Sequence, residues 1–142
     1  MNPRSCRAVL GLLGLFLAAT AGAGAGTVTT VDVETLRHGE EVYGRCIACH
    51  AVEANRTGPQ HCGLFGRKAG TAPGFDGYSP AMRASGIVWN EETLDRFLED
   101  PLAVVPRTFM TYAGVPDPAD RAALIAWLAE ATRPDRSCHL SD

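Results

Sequence analysis

The sequence has little of what nucleic-acid-binding proteins require and no sign of a β-sheet. Lys68 is the one lysine among 142 residues, and 13 basic residues stand against 16 acidic ones. Such a chain is a poor candidate for nucleic-acid binding, which depends on basic side chains that neutralise phosphates. Aromatic residues make up only 7% of the chain. No convincing alternation of apolar and polar residues predicts strands, so we expect an all-α protein of one domain with a modest core.

The long apolar run of the sequence lies near the N-terminus. Basic residues precede it, residues 8–19 are apolar, and two Ala-x-Ala patterns end at Ala23 and Ala25. This is the three-part plan of a secretory signal peptide, and the run is shorter than the ~20 residues of a membrane span. We expect a signal peptide of residues 1–25 and a mature domain of residues 26–142, periplasmic or otherwise exported and not membrane-spanning after cleavage.

The mature chain contains one motif with a specific chemistry, Cys46-Ile47-Ala48-Cys49-His50. Cys-x-x-Cys-His is the attachment signature of a covalent c-type haem. On a helical turn, both thiols and the His50 ring share one face, so they can reach the haem vinyl groups and the iron. A zinc site that recruits His61, Cys62 or Cys138 and a thioredoxin-like dithiol are alternatives. The first lacks a second pair of ligands and the second a preceding strand, so the rest of the chain has to decide.

Caps and prolines predict helices that are separated by long loops. The predicted helices run from Asp32 toward the cysteines, from Ser79 to near Gly86, from Asn90 to Asp100 and from Asp117 to about Thr132. Pro101 is predicted to end the third helix, and residues 102–116 are predicted to be irregular. Glycine and proline in residues 51–78 predict a loop long enough to wrap a cofactor. Gly39, inside the first helix, is favoured as a point of close approach by another helix.

Further segments follow the cysteine motif in order. They are Thr57-Gly58-Pro59, Gly63-Leu64-Phe65-Gly66-Arg67-Lys68-Ala69-Gly70, Ala72-Pro73-Gly74-Phe75, Gly86-Ile87-Val88-Trp89, Glu91-Glu92-Thr93-Leu94, Pro106-Arg107-Thr108-Phe109-Met110 and Leu124-Ile125-Ala126-Trp127-Leu128. From roughly Val33 to Thr132, their order and spacing resemble class I cytochrome c, particularly the mitochondrial type and its bacterial relatives. The resemblance implies a small fold of helices and long loops around one haem c, attached covalently through Cys46 and Cys49.

The resemblance also implies a set of site residues. His50 would be the proximal iron ligand and Met110 the distal one, which closes the iron to substrates and favours electron transfer over catalysis. The Pro59 carbonyl would accept a hydrogen bond from the His50 ring and fix its tautomer. The residues at positions that bind or neutralise the haem propionates are Arg67, Tyr78, Trp89 and Thr108. The residues that match the crossing of the terminal helices are Gly39, Tyr43, Leu124 and Trp127.

The function implied is that of a soluble, monomeric, monohaem electron carrier and not of an enzyme. It would accept single electrons from a quinol-oxidising complex or a periplasmic dehydrogenase and pass them to a terminal oxidase or a similar acceptor. Two alternatives stay open. One is a haem subunit held permanently by a dehydrogenase. The other is a cytochrome whose methionine dissociates from the iron and permits peroxidase or ligand-sensing activity.

The chain departs from the mitochondrial members in ways that bear on its partners and its iron. Phe97 stands where they carry a tyrosine that can hydrogen-bond the methionine sulfur, so we expect the reduction potential of the iron to differ from theirs. The lysines around the haem edge are missing, and we expect an apolar docking patch with weak salt dependence instead. The residues of this docking patch are Leu102, Val104, Phe109 and Tyr112.

Cys6 belongs to the predicted signal peptide, so two cysteines and three histidines remain in the mature chain after the haem has been assigned. In an oxidising compartment we predict a disulfide between Cys62 and Cys138, which would tie the C-terminal tail to the haem loop. His61 stands where the family has a buried apolar residue. For His38, His61 and His139 we expect surface positions or a satisfied place in the core.

Overall fold

The computed structural model describes residues 31–135, which form a helical body with long loops. Its helices are α1 Val33–Tyr43, α2 Pro80–Ala84, α3 Glu91–Glu99, α4 Pro101–Val104 and α5 Pro118–Ala131. In that range, the β-type pairing is limited to an isolated bridge between Lys68 and Val88. The all-α prediction is therefore confirmed. No helix of this part of the chain has both the length and the apolar character needed to cross a membrane. The predicted signal peptide lies outside the described residues.

Each of the predicted helix starts lies where its cap was read from the sequence. The Asp32 side chain accepts a hydrogen bond from the Thr35 N–H at 2.8 Å, and Ser79, Asn90 and Asp117 cap α2, α3 and α5 in the same way. Such caps satisfy N–H groups that have no partner inside the helix, which is why short polar residues signal helix starts. The predicted end of α3 is one residue too long, since this helix ends at Glu99, whereas α5 ends at Ala131, in agreement with the predicted end at about Thr132.

The prediction for the segment after α3 was wrong in one respect. Pro101 does end α3, but residues 101–104 form the short helix α4 and are not irregular. The Asp100 side chain accepts a hydrogen bond from the Ala103 N–H at 3.0 Å. Proline cannot continue a helix, yet it is favoured at the first helical position, where its missing N–H is not needed. The same residue therefore ends one helix and begins the next.

The crossing of α1 and α5 joins the two ends of the described chain. Gly39 is buried at the crossing, where an added Cβ would lie 2.2 Å from the Ala123 carbonyl oxygen and 2.5 Å from the Trp127 Cβ. One turn later, the rings of Tyr43 and Trp127 lie 4.4 Å apart between centroids. Leu124 is fully buried beside them. The predicted close approach at Gly39 is confirmed, and it fixes the direction in which the chain leaves α1 toward Cys46.

Polar contacts tie α5 to the rest of the fold at its first turn. The Asp120 carboxylate contacts the Arg45 guanidinium at 2.7 Å and the His38 Nε2 at 2.8 Å. Arg121 is buried, and its Nε donates to Asp95 on α3 at 2.8 Å. Its Nη1 donates to two backbone carbonyls in the segment before α5. His38 is thus a surface histidine with a carboxylate partner, as expected for a residue outside the site.

Replacement of Gly39 by alanine tests the crossing. The added methyl group would collide with backbone of α5, so we expect Gly39→Ala to lower the free energy of unfolding by about 1–3 kcal/mol, as overpacked sites do. Chemical denaturation measures this loss. Glu40→Ala is the matched control, because Glu40 is exposed on the same helix and its replacement should change stability by less than about 0.5 kcal/mol. Equal stability of the two variants would contradict a close contact at Gly39.

Candidate functional site

A cavity of about 630 Å³ lies beside the crossing of α1 and α5. Its volume falls in the range of cofactor sites, roughly 300–1,000 Å³. Most of its lining is apolar, and its apolar side chains include Leu64, Met82, Trp89, Leu94, Phe97, Leu98, Leu124 and Leu128. A separate cavity of about 260 Å³ includes none of the predicted site residues. The larger cavity is therefore the candidate site.

The cysteine motif lies on a helical turn at the edge of this cavity. After α1 the chain keeps turning, because the Cys46 N–H donates to the Tyr43 carbonyl at 2.8 Å. The N–H groups of Cys49 and His50 both donate to the Cys46 carbonyl, at 3.1 and 2.9 Å. This geometry brings both cysteines and His50 to the lining of one cavity. Cys46 and Cys49 are free thiols, the first half-buried and the second exposed.

The His50 ring is held in one tautomer. Its Nδ1 lies 2.8 Å from the Pro59 carbonyl oxygen, which can only accept, so Nδ1 carries the proton and Nε2 keeps a lone pair. This is the contact that the resemblance implies. Burial lowers the pKa of His50, against a smaller effect of the Pro59 hydrogen bond, so the imidazole is neutral near pH 7. Gly58 passes close over the ring, since an added Cβ would lie 2.5 Å from Cε1.

The cavity lining includes the four residues that the resemblance assigns to the haem propionates, Arg67, Tyr78, Trp89 and Thr108. Hydrogen bonds between backbone groups bring Arg67 and Trp89 together. The Trp89 N–H donates to the Arg67 carbonyl at 3.0 Å, next to the bridge between Lys68 and Val88. The Arg67 guanidinium donates to the carbonyls of Gln60, at 3.0 Å, and Cys62. Burial lowers the pKa of Arg67.

Tyr78 and Thr108 line the same cavity from two other loops. The Tyr78 hydroxyl accepts from the Ala72 N–H at 3.2 Å, and its ring packs edge-on against Phe75. The Thr108 hydroxyl accepts from the Met110 N–H at 3.3 Å. Both hydroxyl groups therefore keep a hydrogen to donate, which a ligand in the cavity can accept.

Met110 reaches the cavity from a turn of unusual backbone geometry. The Thr108 N–H donates to the Val105 carbonyl at 3.0 Å, with Pro106 and Arg107 between them. Arg107 has a φ of 69°, the one positive φ of a non-glycine residue in the described range. Proline followed by a residue of positive φ is the pattern of a type II turn, whose third position favours glycine. An arginine there holds about 1–3 kcal/mol of strain.

His61 is the site residue that sequence reasoning missed. It lines the cavity, and its ring stacks on His50 with centroids 4.5 Å apart. Burial above all, and then the nearby His50 and Arg67, lower the pKa of His61 to about 3, so the ring is neutral. A signal was present in the sequence, because His61 occupies a position where the family has a buried apolar residue. What it contacts could not be read from the sequence.

The zinc alternative finds no support in the described part of the chain. No group of three or more histidine, cysteine or acidic side chains within residues 31–135 could hold a metal ion. Cys62 lies in the described part of the chain and Cys138 lies outside it, so the disulfide between them stays a prediction.

Comparison with known proteins decides the family. The sequence is 48% identical over 94 residues to cytochrome c2 of Rhodomicrobium vannielii, covering 64% of this chain and 74% of the relative. The chain belongs to the class I cytochrome c family. Cytochrome c2 iso-2 of Magnetospirillum fulvum is 49% identical over 88 residues, which cover 61% of this cytochrome and 91% of the relative.

A solved structure agrees with the relatives. Cytochrome cH from Methylobacterium extorquens matches with a TM-score of 0.65 and 38% identity, and the match covers 67% of this chain and 97% of the other. No protein-family model matches the sequence. Membership of the family makes this cytochrome an electron carrier and not an enzyme, with covalently attached haem c as its cofactor. Its cavity fits that group, because apolar walls surround a neutral imidazole and two thiols.

The stability of the protein at alkaline pH tests whether Tyr43 is buried in the cavity wall. Desolvation raises the pKa of the Tyr43 phenol from 10.0 to about 12. Between these values the unfolded chain loses the phenol proton while the folded chain keeps it, so stability falls as pH rises from about 10 to about 12. We expect Tyr43→Phe to lack this part of the alkaline loss, measured by denaturant unfolding at a series of pH values. Parallel curves for wild type and Tyr43→Phe would contradict the burial.

Proposed function

We propose that this cytochrome carries single electrons on one haem c that is attached through Cys46 and Cys49, with His50 and Met110 as the axial ligands of the iron. One observation carries the proposal. All four side chains line the same apolar cavity, and the His50 Nδ1 is hydrogen-bonded to the Pro59 carbonyl. When bound, haem c supplies an iron that alternates between Fe(II) and Fe(III).

The chain prepares His50 for iron in two ways. Burial keeps the ring neutral, and only a neutral imidazole has a lone pair to give to a metal. The hydrogen bond to Pro59 places the proton on Nδ1 and makes the ring a stronger donor at Nε2. Gly58 leaves room for this arrangement, since any side chain at position 58 would displace the ring.

Met110 would be the second protein ligand of the iron, and Phe97 stands where the mitochondrial members of the family carry a tyrosine. A thioether on the iron stabilises Fe(II), raises the potential and leaves no ready place for oxygen or peroxide. Phe97 is buried in the cavity wall against Trp89, with ring centroids 5.1 Å apart. Phenylalanine has no hydroxyl that could hydrogen-bond the methionine sulfur. This supports a reduction potential that differs from that of family members with a tyrosine at this position. The alternatives, peroxidase or ligand-sensing activity, require that Met110 leave the iron.

The polar groups of the cavity suit the haem propionates. Tyr78 and Thr108 have hydroxyl hydrogens to donate, and Trp89 has an indole N–H. Arg67 supplies a positive charge close by, held by two backbone carbonyls. Carboxylates taken out of water need such donors, and preferably a positive charge, to offset the loss of hydration.

We further propose that the protein is exported as a soluble monomer after removal of residues 1–25 and acts in the periplasm. Its donor would be a quinol-oxidising complex or a periplasmic dehydrogenase, and its acceptor a terminal oxidase or a similar protein. Permanent attachment to a dehydrogenase is the alternative. The docking patch supports an apolar contact, because the side chains of Leu102, Val104 and Phe109 are 50%, 40% and 68% exposed.

Ligand replacement tests the proposed iron site. Haem should stay with the wild-type polypeptide after denaturation and be lost from the double variant Cys46→Ala, Cys49→Ala. Met110→Ala should lose the methionine–iron absorption band and bind carbon monoxide in the Fe(II) state. Met82→Leu, the matched control, should keep the band. Haem released from the denatured wild type would contradict covalent attachment, and wild-type protein that binds carbon monoxide readily would favour ligand sensing.

Salt dependence tests the docking patch. With a membrane-bound quinol-oxidising complex as donor, we expect the reduction rate of the wild type to change by less than about twofold between roughly 0.01 M and 0.15 M ionic strength. Leu102→Glu should slow the reaction, because a charge must then be desolvated at the contact, and Leu102 does not line the cavity. Val33→Glu is the control, since Val33 is an exposed apolar residue that does not line the cavity. A steep loss of rate with added salt would show that charge pairing guides docking.

A further inference from the structure

We infer that His61 is a positioning residue for the axial histidine. Its ring, stacked on His50 and held by the Tyr43 hydroxyl, sets the plane of the His50 imidazole. The inference rests on the proposed function, because the plane of His50 has consequences only when that ring is a ligand of the iron.

The Pro59 hydrogen bond alone does not fix the His50 ring. It restrains Nδ1 at 2.8 Å from the carbonyl oxygen but leaves the ring free to pivot about that direction. Contacts on the ring face remove this freedom. The His61 ring supplies one, with centroids 4.5 Å apart and planes inclined by 21°. Gly58 supplies another, since an added Cβ would lie 2.5 Å from Cε1 and 2.8 Å from each ring nitrogen.

The backbone that carries His61 is fixed from three sides. The N–H groups of residues 61–63 donate in turn to the carbonyls of Ala51, Val52 and Thr132, at 3.1, 2.7 and 2.8 Å. From the other side, the Arg67 guanidinium donates to the carbonyls of residues 60 and 62. A side chain on so restrained a segment can hold a neighbour in place, which a side chain on a mobile loop cannot.

The Tyr43 hydroxyl fixes the orientation of the His61 ring. It lies 3.2 Å from the His61 Nδ1, and its own ring is packed against Trp127 at the helix crossing. The hydrogen bond between the Tyr43 hydroxyl and the His61 Nδ1 gives both groups a partner, which offsets the cost of burying a polar ring. A line of contacts therefore runs from the crossing of α1 and α5 through Tyr43 and His61 to the face of His50. An apolar side chain at position 61 could fill the space but could not be tied to Tyr43.

The experiment uses the oxidised protein with its covalent haem. In low-spin Fe(III) the plane of a coordinated imidazole contributes to the magnetic anisotropy, which electron paramagnetic resonance and the NMR shifts of the haem methyl groups report. We expect His61→Leu to change the pattern of methyl shifts and Tyr43→Phe to change it in the same sense by a smaller amount. His38→Leu is the matched control, because His38 contacts Asp120 on the surface, and its spectrum should equal that of the wild type.

His61→Phe separates the two contacts, since phenylalanine keeps a ring face against His50 and loses the bond to Tyr43. Its methyl shifts should resemble those of Tyr43→Phe more than those of His61→Leu. A His61→Leu spectrum that superimposes on the wild type would overturn the inference, even if that variant were less stable. If His61→Leu does not fold, an unchanged Tyr43→Phe spectrum overturns it. Covalent haem with the methionine–iron band, checked first in the wild type, separates these outcomes from failure of the proposed function.

Discussion

The close contact between α1 and α5 is the constraint on which the rest of the structure depends. Backbone meets backbone at Gly39, and the rings of Tyr43 and Trp127 close the contact one turn later. Because α1 ends at Tyr43, the crossing also sets the direction of the cysteine turn that follows. The inner face of α5 then becomes a wall of the cavity through Leu124 and Leu128. A contact between the two ends of the described chain thus determines where a cofactor can lie.

The cavity combines apolar walls with a small number of polar groups, and several of these are held by hydrogen bonds with the backbone. Pro59 restrains His50, the carbonyls of Gln60 and Cys62 restrain Arg67, and the Thr108 hydroxyl accepts from the backbone of Met110. Such restraint matters for an electron carrier, because a site that reorganises little when its charge changes has a small barrier to electron transfer. The loops around the cavity are irregular in secondary structure but highly restrained in position.

Local signals in the sequence predicted most of the helices and singled out the cysteine motif, whereas the other site residues came from the family resemblance. Caps such as Asp32 and Asn90 act within three residues of themselves, so they can be read without knowledge of the fold. Pro101 was harder, because a proline that ends one helix can also begin another, and the choice depended on Asp100. The stacking of His61 on His50 could not be predicted, because it depends on hydrogen bonds between residues 61–63 and carbonyls up to seventy residues away, as at Thr132. The family resemblance supplied Met110 as a ligand, which composition and spacing alone would have left as an ordinary core residue.

The turn at Arg107 has a consequence for how this chain tolerates change. At most positions of a folded protein a substitution lowers stability, but at position 107 glycine or asparagine would relieve the positive φ and raise it. Such a conformation persists only where the surrounding structure holds it. The loop that leads to Met110 therefore takes its shape from its contacts and not from the local preference of its own residues.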